Sequence, residues 1–153
     1  MDLGLSGKKA LVCASTKGLG KGCAISLVKE NVDVTIVSRS NENIEKAISD
    51  IQKETGVVVS AIQADVTLVE DRKKIIETIV PDILVNNAGG PPPGDFRKFT
   101  IEDWQKAVND NMITPIEFIK AYIDEMIKNK FGRIINITSA AVKAPIDILG
   151  LSN

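Results

Sequence analysis

Residues 8–22, with the sequence KKALVCASTKGLGKG, give the strongest indication of the fold. The first half of this stretch, the apolar run Lys8–Ala14, is typical of a buried strand. From Gly18 onward the apolar residues recur every four positions, which predicts one face of a helix: Leu19, Cys23 and Leu27. The glycine-rich turn in between therefore joins a first strand to a first helix.

The same alternation of strand and helix repeats along the rest of the chain. Four further apolar or β-branched runs are predicted as strands: Val32–Ser38, Val57–Ala64, Ile83–Asn86 and Gly132–Thr138. Strands that are apolar throughout, rather than alternating, indicate a parallel sheet with both faces covered. Because crossovers between parallel strands are right-handed, we predict a doubly wound α/β sheet of the Rossmann type with five strands.

Helix boundaries are predicted from capping patterns. Thr67-Leu68-Val69-Glu70 matches a capping box that would open the third helix, whose predicted apolar face is Leu68, Ile75, Ile76 and Ile79. A fourth helix is predicted to open at Thr100. Thr114 is predicted to cap a fresh start, with Pro115 at the first helical position. We therefore expect a long, kinked helix that ends at about Lys130.

The composition limits the classes of protein to which this chain can belong. The chain has 153 residues, which favours one domain over 1–153, and 44% of them are apolar, too many for a disordered segment. Lys and Arg number 19 against 20 Asp and Glu, and the net charge of −1 argues against nucleic-acid or membrane-surface binding. The absence of histidine excludes Ser-His-Asp catalysis and His-ligated zinc, and no metal site is expected.

The cysteines and the N-terminus bear on location. Cys13 and Cys23 fit neither a CxxC motif nor a disulfide framework, and free thiols are typical of a reducing compartment. The N-terminal residues do not resemble a signal peptide, and no apolar run is long enough to span a membrane. We therefore expect a cytoplasmic protein.

The glycine-rich turn after the first strand is a candidate phosphate site. Glycines allow a backbone to approach a pyrophosphate, and the following helix directs its N–H groups and positive end at the anion. An ordinary flexible turn is the alternative, and the position of this turn within a strand–helix–strand unit disfavours it. We expect these residues to bind a dinucleotide: Ala14, Ser15, Thr16, Lys17, Gly18, Leu19 and Gly20.

The end of the second strand bears on which dinucleotide is bound. An acidic residue there would bind the ribose hydroxyls of NAD, but the sequence has Ser38-Arg39-Ser40. A cation flanked by hydroxyls suits the additional phosphate of NADP, and Lys17 could reach the same phosphate. The two cations could instead be solvated loop charges. We predict NADP as cofactor, with NAD less favoured.

Further motifs resemble the classical short-chain dehydrogenase/reductase family. The matching residues, between about Leu5 and the end of the chain, are Gly18 and Gly20, Asp65-Val66, Asn86-Asn87-Ala88-Gly89, Trp104 with Asn111, and Ser139. The resemblance implies that Asp65 and Val66 contact the adenine and that Asn87, Ala88 and Gly89 flank the cofactor. It also implies that Asn111 holds a water in the helix kink and that Ser139 binds the substrate oxygen as a catalytic residue.

The sequence departs from the family pattern in two places. Cys13-Ala14 replaces the usual Thr-Gly at the start of the turn. The catalytic tyrosine is expected thirteen residues beyond the serine, where the chain has Ser152, and the family's lysine would lie beyond Asn153. The one tyrosine, Tyr122, is interpreted as a packing residue. The C-terminal part of the fold is therefore expected to be missing, or the tyrosine to be replaced, or a change in loop length to place it later.

The resemblance leads to three functional hypotheses. The first is an NADP-dependent oxidoreductase similar to 3-oxoacyl-acyl-carrier-protein reductases, acting on a carbonyl or alcohol substrate. The second is a sugar or polyol dehydrogenase of the same family, and the third is a dinucleotide-binding module without turnover. The full-length protein is expected to be a homo-oligomer that pairs through the helix over Pro115–Lys130. If its partner helix is absent, isoleucine and methionine side chains would form an exposed apolar patch there.

Overall fold

The computed structural model describes residues 2–152, which form a parallel sheet with helices on both faces. The strands are β1 Lys9–Val12, β2 Asp33–Ser38, β3 Ser60–Gln63, β4 Ile83–Asn86 and β5 Arg133–Asn136. The α-helices are α1 Gly18–Lys29, α2 Asn41–Thr55, α3 Val69–Thr78, α4 Ile101–Val108 and α5 Thr114–Lys128. A π-helix over Asn109–Ile113 joins α4 to α5, and short 3-10 helices lie at Phe96–Lys98, Ala140–Val142 and Gly150–Ser152.

The strand order is β3-β2-β1-β4-β5, and every neighbouring pair is parallel. β1 lies in the middle, with Ala10 opposite Val34 on one side and Ile83 on the other. The chain order reverses between β1 and β4, and this reversal opens a crevice at the carboxyl ends of the strands. The predicted doubly wound sheet of five strands is confirmed.

The core has one layer on each face of the sheet. Alternate residues of β1 point to opposite faces, so Ala10 and Val12 pack with α1 and α2, whereas Leu11 and Cys13 pack with α3 and α5. Phe118, Tyr122 and Met126 of α5 are buried in the second layer. These two layers fix the strand ends and so position the turns that follow them.

Several predicted boundaries differ from the structure. β3 begins at Ser60 instead of Val57, because its pairing with β2 runs only from Thr35–Ser60 to Ser38–Gln63. The buried face of α1 is also shifted. Leu19 is 69% exposed, and the buried positions are Gly20, Ala24 and Val28, because Gly20 packs closely against the turn after β1.

Two predicted helix caps are wrong. The Thr67 hydroxyl donates to Asp65 Oδ1 at 2.7 Å and does not cap α3, whose N-cap is Leu68. Thr67 N–H donates to the same carboxylate oxygen, so the Asp65 side chain fixes Thr67 before the helix begins. Thr114 does not cap α5 either, because it is the first residue of that helix, its hydroxyl donates to Asn109 O, and the N-cap is Ile113. The helix start at this point and Pro115 in its first turn are as predicted, and α5 ends at Lys128. The capping box at Thr100, by contrast, is complete, with Asp103 as its second member.

Isoleucine side chains are exposed along α5, as the sequence predicted, but Met126, the methionine of that helix, is buried, and the exposed methionine lies in the π-helix. The side chains of Met112, Ile116 and Ile127 all have large exposed fractions.

Within residues 2–152, none of the helices combines the length and the apolar character that a membrane span requires.

Candidate functional site

A cavity of about 700 Å³ lies at the carboxyl ends of the strands. Its walls come from the turn after β1, the end of β2, the loops after β3 and β4, and the helical segment from α4 to the π-helix. The predicted site residues on its wall are Ala14, Thr16, Lys17, Ser38, Arg39, Ser40, Asp65, Val66, Gly89 and Asn111. Residues from distant parts of the chain thus share one concave surface, as expected for a ligand site.

The turn after β1 places its residues in different environments. Ser15 is fully buried, and its hydroxyl donates to Val12 O at 2.6 Å and accepts from Val37 N at 3.0 Å. The Ser15 side chain therefore fastens the turn to β1 and β2, whereas the sequence predicted contact with the cofactor. Leu19 also lies off the cavity wall, with its side chain exposed.

Backbone geometry shows why glycine is favoured at two positions of this turn, one of which is occupied by Ala14. Ala14 has a φ of 44°, in the left-handed region where the family's usual glycine carries no steric penalty. A Cβ at Gly20 would lie only 2.7 to 2.9 Å from Asn87 Nδ2, Ala14 O and Ser15 Cα. The turn and the loop after β4 can thus approach each other because residue 20 has no side chain.

The N-terminus of α1 is open toward an anion. Lys17 is the N-cap residue, and its side chain makes no capping hydrogen bond. The first turn of α1 also contains no acidic residue. Free N–H groups and the positive end of the helix dipole therefore lie beside the cavity that Lys17 lines.

The side-chain amides of Asn86, the last residue of β4, and of Asn87, which follows it, join neighbouring strand ends at the crevice. Asn87 Nδ2 donates to Ala14 O at 3.0 Å and Cys13 O at 3.3 Å, joining this loop to the turn after β1. Asn86 Nδ2 donates to Asn136 Oδ1 at 2.9 Å, joining β4 to β5. Both amides therefore bridge neighbouring strand ends beside the cavity.

Charges of both signs meet where β2 and β3 end. Arg39, with its side chain 77% exposed, points its Nη1 at Asp65 Oδ2 at 3.7 Å. Partial burial disfavours the ionised form of Asp65, but hydrogen bonds from Thr67 and the charges of Arg39 and Lys106 outweigh it, so the pKa of Asp65 lies below its ordinary value. The Asp65 carboxylate therefore stays ionised at neutral pH.

Hydroxyls complete this corner. Thr16 Oγ1 donates to Ser38 Oγ at 3.4 Å, which links the turn after β1 to the end of β2. Ser40 caps α2 by accepting from Asn43 N at 3.2 Å. The hydroxyls of Ser38 and Ser40, on either side of Arg39 in the sequence, are therefore both hydrogen-bonded.

The two predicted catalytic residues lie in different surroundings. Asn111 is in the π-helix, where its Nδ2 donates to Ala107 O at 3.1 Å, and it lines both the main cavity and a second cavity of about 280 Å³. Asn87 and Ala88 line the second cavity. Ser139 lines neither one. Its Oγ accepts from Ala141 N at 3.1 Å and caps the short 3-10 helix, while the preceding Thr138 lines the second cavity.

A sequence comparison identifies the family. Residues 8–150 match the model of the family described as short chain dehydrogenase. The chain belongs to the short chain dehydrogenase family. A member from Mus musculus, dehydrogenase/reductase SDR family member 4, is 36% identical over 143 residues, which are 90% of this chain and 51% of the mouse protein.

Two solved structures of reductases share the fold. L-Sorbose reductase from Gluconobacter frateurii, complexed with NADPH and L-sorbose, has a TM-score of 0.92 and 25% identity over 99% of this chain. YwfH, an NADPH dependent reductase involved in bacilysin biosynthesis, has a TM-score of 0.87 and 30% identity over 96% of this chain. This chain covers 60% of each of those two proteins and about half of the mouse relative.

α4 and the π-helix supply site residues that were not predicted from the sequence. Asp103, Lys106 and Asp110 line the main cavity, and Lys106 Nζ lies 2.6 Å from Asp110 Oδ2. Their spacing of three and four positions was a signal that they share a helix face. Part of the cavity wall is therefore charged, next to the loop after β3.

Tyr122 is a packing residue, as its sequence position indicated. It is buried and stacks on Phe118 with ring centroids 6.2 Å apart, and its hydroxyl has no hydrogen-bond partner among the described residues. Burial and the nearby Cys13 raise the pKa of Tyr122 above its ordinary value, and burial raises the pKa of Cys13 to about 12. Neither group is suited to donate or accept a proton at neutral pH.

Proposed function

We propose that this chain binds NADP as the dinucleotide-binding part of an oxidoreductase that interconverts a carbonyl and an alcohol. The observation that carries the proposal is the convergence of Lys17, Arg39 and the open N-terminus of α1 on one cavity. Cations and backbone N–H groups are the partners that phosphates require. The NADPH named for two reductases of the same fold supports the same cofactor.

The residues of the cavity fit a dinucleotide. Gly20 lets the turn after β1 pack directly against Asn87 of the loop after β4, and this packing shapes the backbone that would face the pyrophosphate. Arg39 and Ser40 would bind the 2′-phosphate, while Asp65 and Val66 would contact the adenine. The other predicted contacts would lie along the rest of the cofactor in the crevice. They come from the turn after β1 and from the loop after β4: Thr16, Lys17, Gly18, Asn87, Ala88 and Gly89.

When bound, the dinucleotide would supply hydride from nicotinamide C4 to a carbonyl carbon. The reduced oxygen then needs a proton and a hydrogen-bond donor. Ser139 fits the second need, because its Oγ accepts from Ala141 N and its own O–H remains free to donate. Asn111 would orient a water that serves the proton path. The position of the family's tyrosine is Ser152, whose hydroxyl is a far weaker acid than a phenol.

We propose a 3-oxoacyl thioester as the substrate of the complete reaction, from the resemblance to 3-oxoacyl-acyl-carrier-protein reductases. A sugar or polyol is a second candidate, and the structural likeness to an L-sorbose reductase favours it. A binding module without turnover is the third, since Ser139 lies off both cavity walls and position 152 lacks a phenol.

The chain is expected to bind NADPH without oxidising it, because the acid that would protonate the substrate oxygen is absent. Trp104, the single tryptophan, lies on α4 beside Asp103 of the cavity wall, so quenching of its emission can report NADPH binding. The same sample is then mixed with a 3-oxoacyl thioester or with L-sorbose, and NADPH absorbance is followed. Sustained oxidation with either substrate would overturn the claim that the chain is catalytically incomplete.

We also propose that the protein is cytoplasmic and forms homo-oligomers through α5. The exposed Met112, Ile116 and Ile127 support pairing, because burying such a surface is favourable. Sedimentation velocity is expected to show a dimer or larger species that dissociates when Ile116 and Ile127 are replaced by Lys. A monomer at all concentrations would contradict the proposal.

A further inference from the structure

Arg72 of α3 is an unusual residue for the interior of a helix–sheet layer. It is only 2% exposed and heads the largest fully buried side chains in the described part of the chain. Burial of a guanidinium is unfavourable unless its N–H groups have partners, so its contacts show what the residue does. We propose that Arg72 is a positioning residue that couples the loop after β3 to the π-helix in the wall of the candidate cofactor cavity.

The first part of the coupling is made by Arg72 itself. Its Nη1 donates to Val66 O at 3.1 Å and to Thr114 Oγ1 at 3.3 Å, and its Nε donates to Glu117. Val66 belongs to the loop after β3, whereas Thr114 and Glu117 begin α5. One side chain therefore holds both segments, and a planar guanidinium fixes the direction of each bond.

The second part runs through Asn109, the first residue of the π-helix. Thr114 Oγ1 donates to Asn109 O at 2.9 Å, and Asn109 Nδ2 donates to Thr67 O at 3.1 Å. The carbonyls of Val66 and Thr67, which are adjacent in the chain, are thus held by two groups that are joined through Thr114. A continuous hydrogen-bond network therefore connects one carbonyl to the other through Arg72, Thr114 and Asn109.

The segments that this network of hydrogen bonds joins are neighbouring parts of the wall of one cavity. Asp65, Val66 and Thr67 line one of these parts, and Asp110 and Asn111 of the π-helix line the other. π-Helical segments are frequent at functional sites, and this one depends on the Thr114 hydroxyl as well as on backbone bonds. A ligand that orders the loop after β3 should therefore also order the segment that carries Asn111.

The inference rests on the proposed dinucleotide site, so its test uses a ligand that contains only the adenine end, adenosine 2′,5′-bisphosphate. Its Kd is measured by calorimetry, and hydrogen exchange is measured for Asn109–Ile113 with and without ligand. In the unmodified chain the ligand is expected to slow exchange in the π-helix, although it would not reach Asn111. In Arg72→Met the Kd is expected to rise about tenfold and the slowing in the π-helix to disappear.

Three further variants separate coupling from stability. Ile75→Val alters a buried residue of the same helix α3 without removing a hydrogen bond, and it should retain the Kd within about twofold and the slowing in the π-helix. Glu117→Gln keeps an acceptor for Nε and should also retain both. Thr114→Val removes only the hydroxyl that joins Arg72 to Asn109, so it should lose the slowing even if Arg72→Met fails to fold.

The outcomes distinguish this inference from the proposed function. If the unmodified chain binds adenosine 2′,5′-bisphosphate and both Arg72→Met and Thr114→Val retain the slowed exchange, the positioning role is refuted. If the unmodified chain does not bind it, the dinucleotide site is refuted instead. In that case, hydrogen exchange of the unliganded proteins tests the positioning role of Arg72 independently of the dinucleotide site. Faster exchange at 65–68 and 109–113 in Arg72→Met but not in Ile75→Val supports the coupling, and equal rates contradict it.

Discussion

Replacing Arg39 with alanine is expected to raise the Kd for NADPH about 10- to 100-fold and to leave the Kd for NADH within about twofold. Arg39 is the cation at the end of β2, and its exposed guanidinium is free to turn from Asp65 toward a phosphate. The two cofactors differ only in the 2′-phosphate, so a residue that binds this group affects one of them. Titration of both cofactors against Trp104 emission measures the difference.

Lys73→Ala is the matched control for charge. Lys73 is an exposed cation of α3 that lies off the cavity wall, and its removal changes the net charge by the same amount. Because exposed charges are screened over distances of about 8 Å at physiological salt, this variant should leave both Kd values unchanged. An equal loss of NADPH and NADH affinity in Arg39→Ala would refute the contact with the 2′-phosphate.

Replacing Gly20 with alanine is expected to abolish measurable binding of both cofactors and to lower the free energy of unfolding by about 2–3 kcal/mol. The added Cβ would lie 2.8 Å from Ala14 O and 2.9 Å from Ser15 Cα, and backbone atoms cannot rotate away as a side-chain end can. It would also displace Asn87 Nδ2, which bonds Ala14 O and Cys13 O. Urea denaturation and cofactor titration measure the two effects.

Gly22→Ala is the control within the same helix. A Cβ at Gly22 meets no atom within 4 Å, so alanine should raise the free energy of unfolding by about 0.5–1 kcal/mol through its better helix propensity. Cofactor affinity should not change. If Gly20→Ala bound NADPH as well as Gly22→Ala does, the close approach of the turn to the loop after β4 would not matter for the site.

Most of the fold could be predicted from local patterns. The apolar run of β4 was predicted with the bounds that the structure has, because Ile83–Asn86 is buried along its whole length. The end of α2 was also predictable, since Gly56 adopts a φ of 77° that favours glycine. β3 was predicted too long because Val57 and Val58 are apolar and yet exposed, and only the pairing partner decides where an edge strand stops.

The site was predictable where its residues belong to one turn or motif. The turn after β1, the Ser38-Arg39-Ser40 corner and the loop after β3 line the same cavity because parallel strands end at one edge of the sheet. Ser15 was predicted as a ligand contact, but its hydroxyl bonds Val37 N across the sheet. No spacing rule relates these two residues, so this contact could not be read from the sequence.

Periodicity and short motifs were enough to specify the order of strands and helices along the chain, the position of the glycine turn and the family. Which side chains face the cavity and which ones support its walls depends on the tertiary structure. Arg72 is one of several charged residues on α3, and its partners Val66 and Glu117 lie 6 and 45 positions away. Packing of α3 against α5 encloses its guanidinium, and burial makes hydrogen bonds between distant segments obligatory.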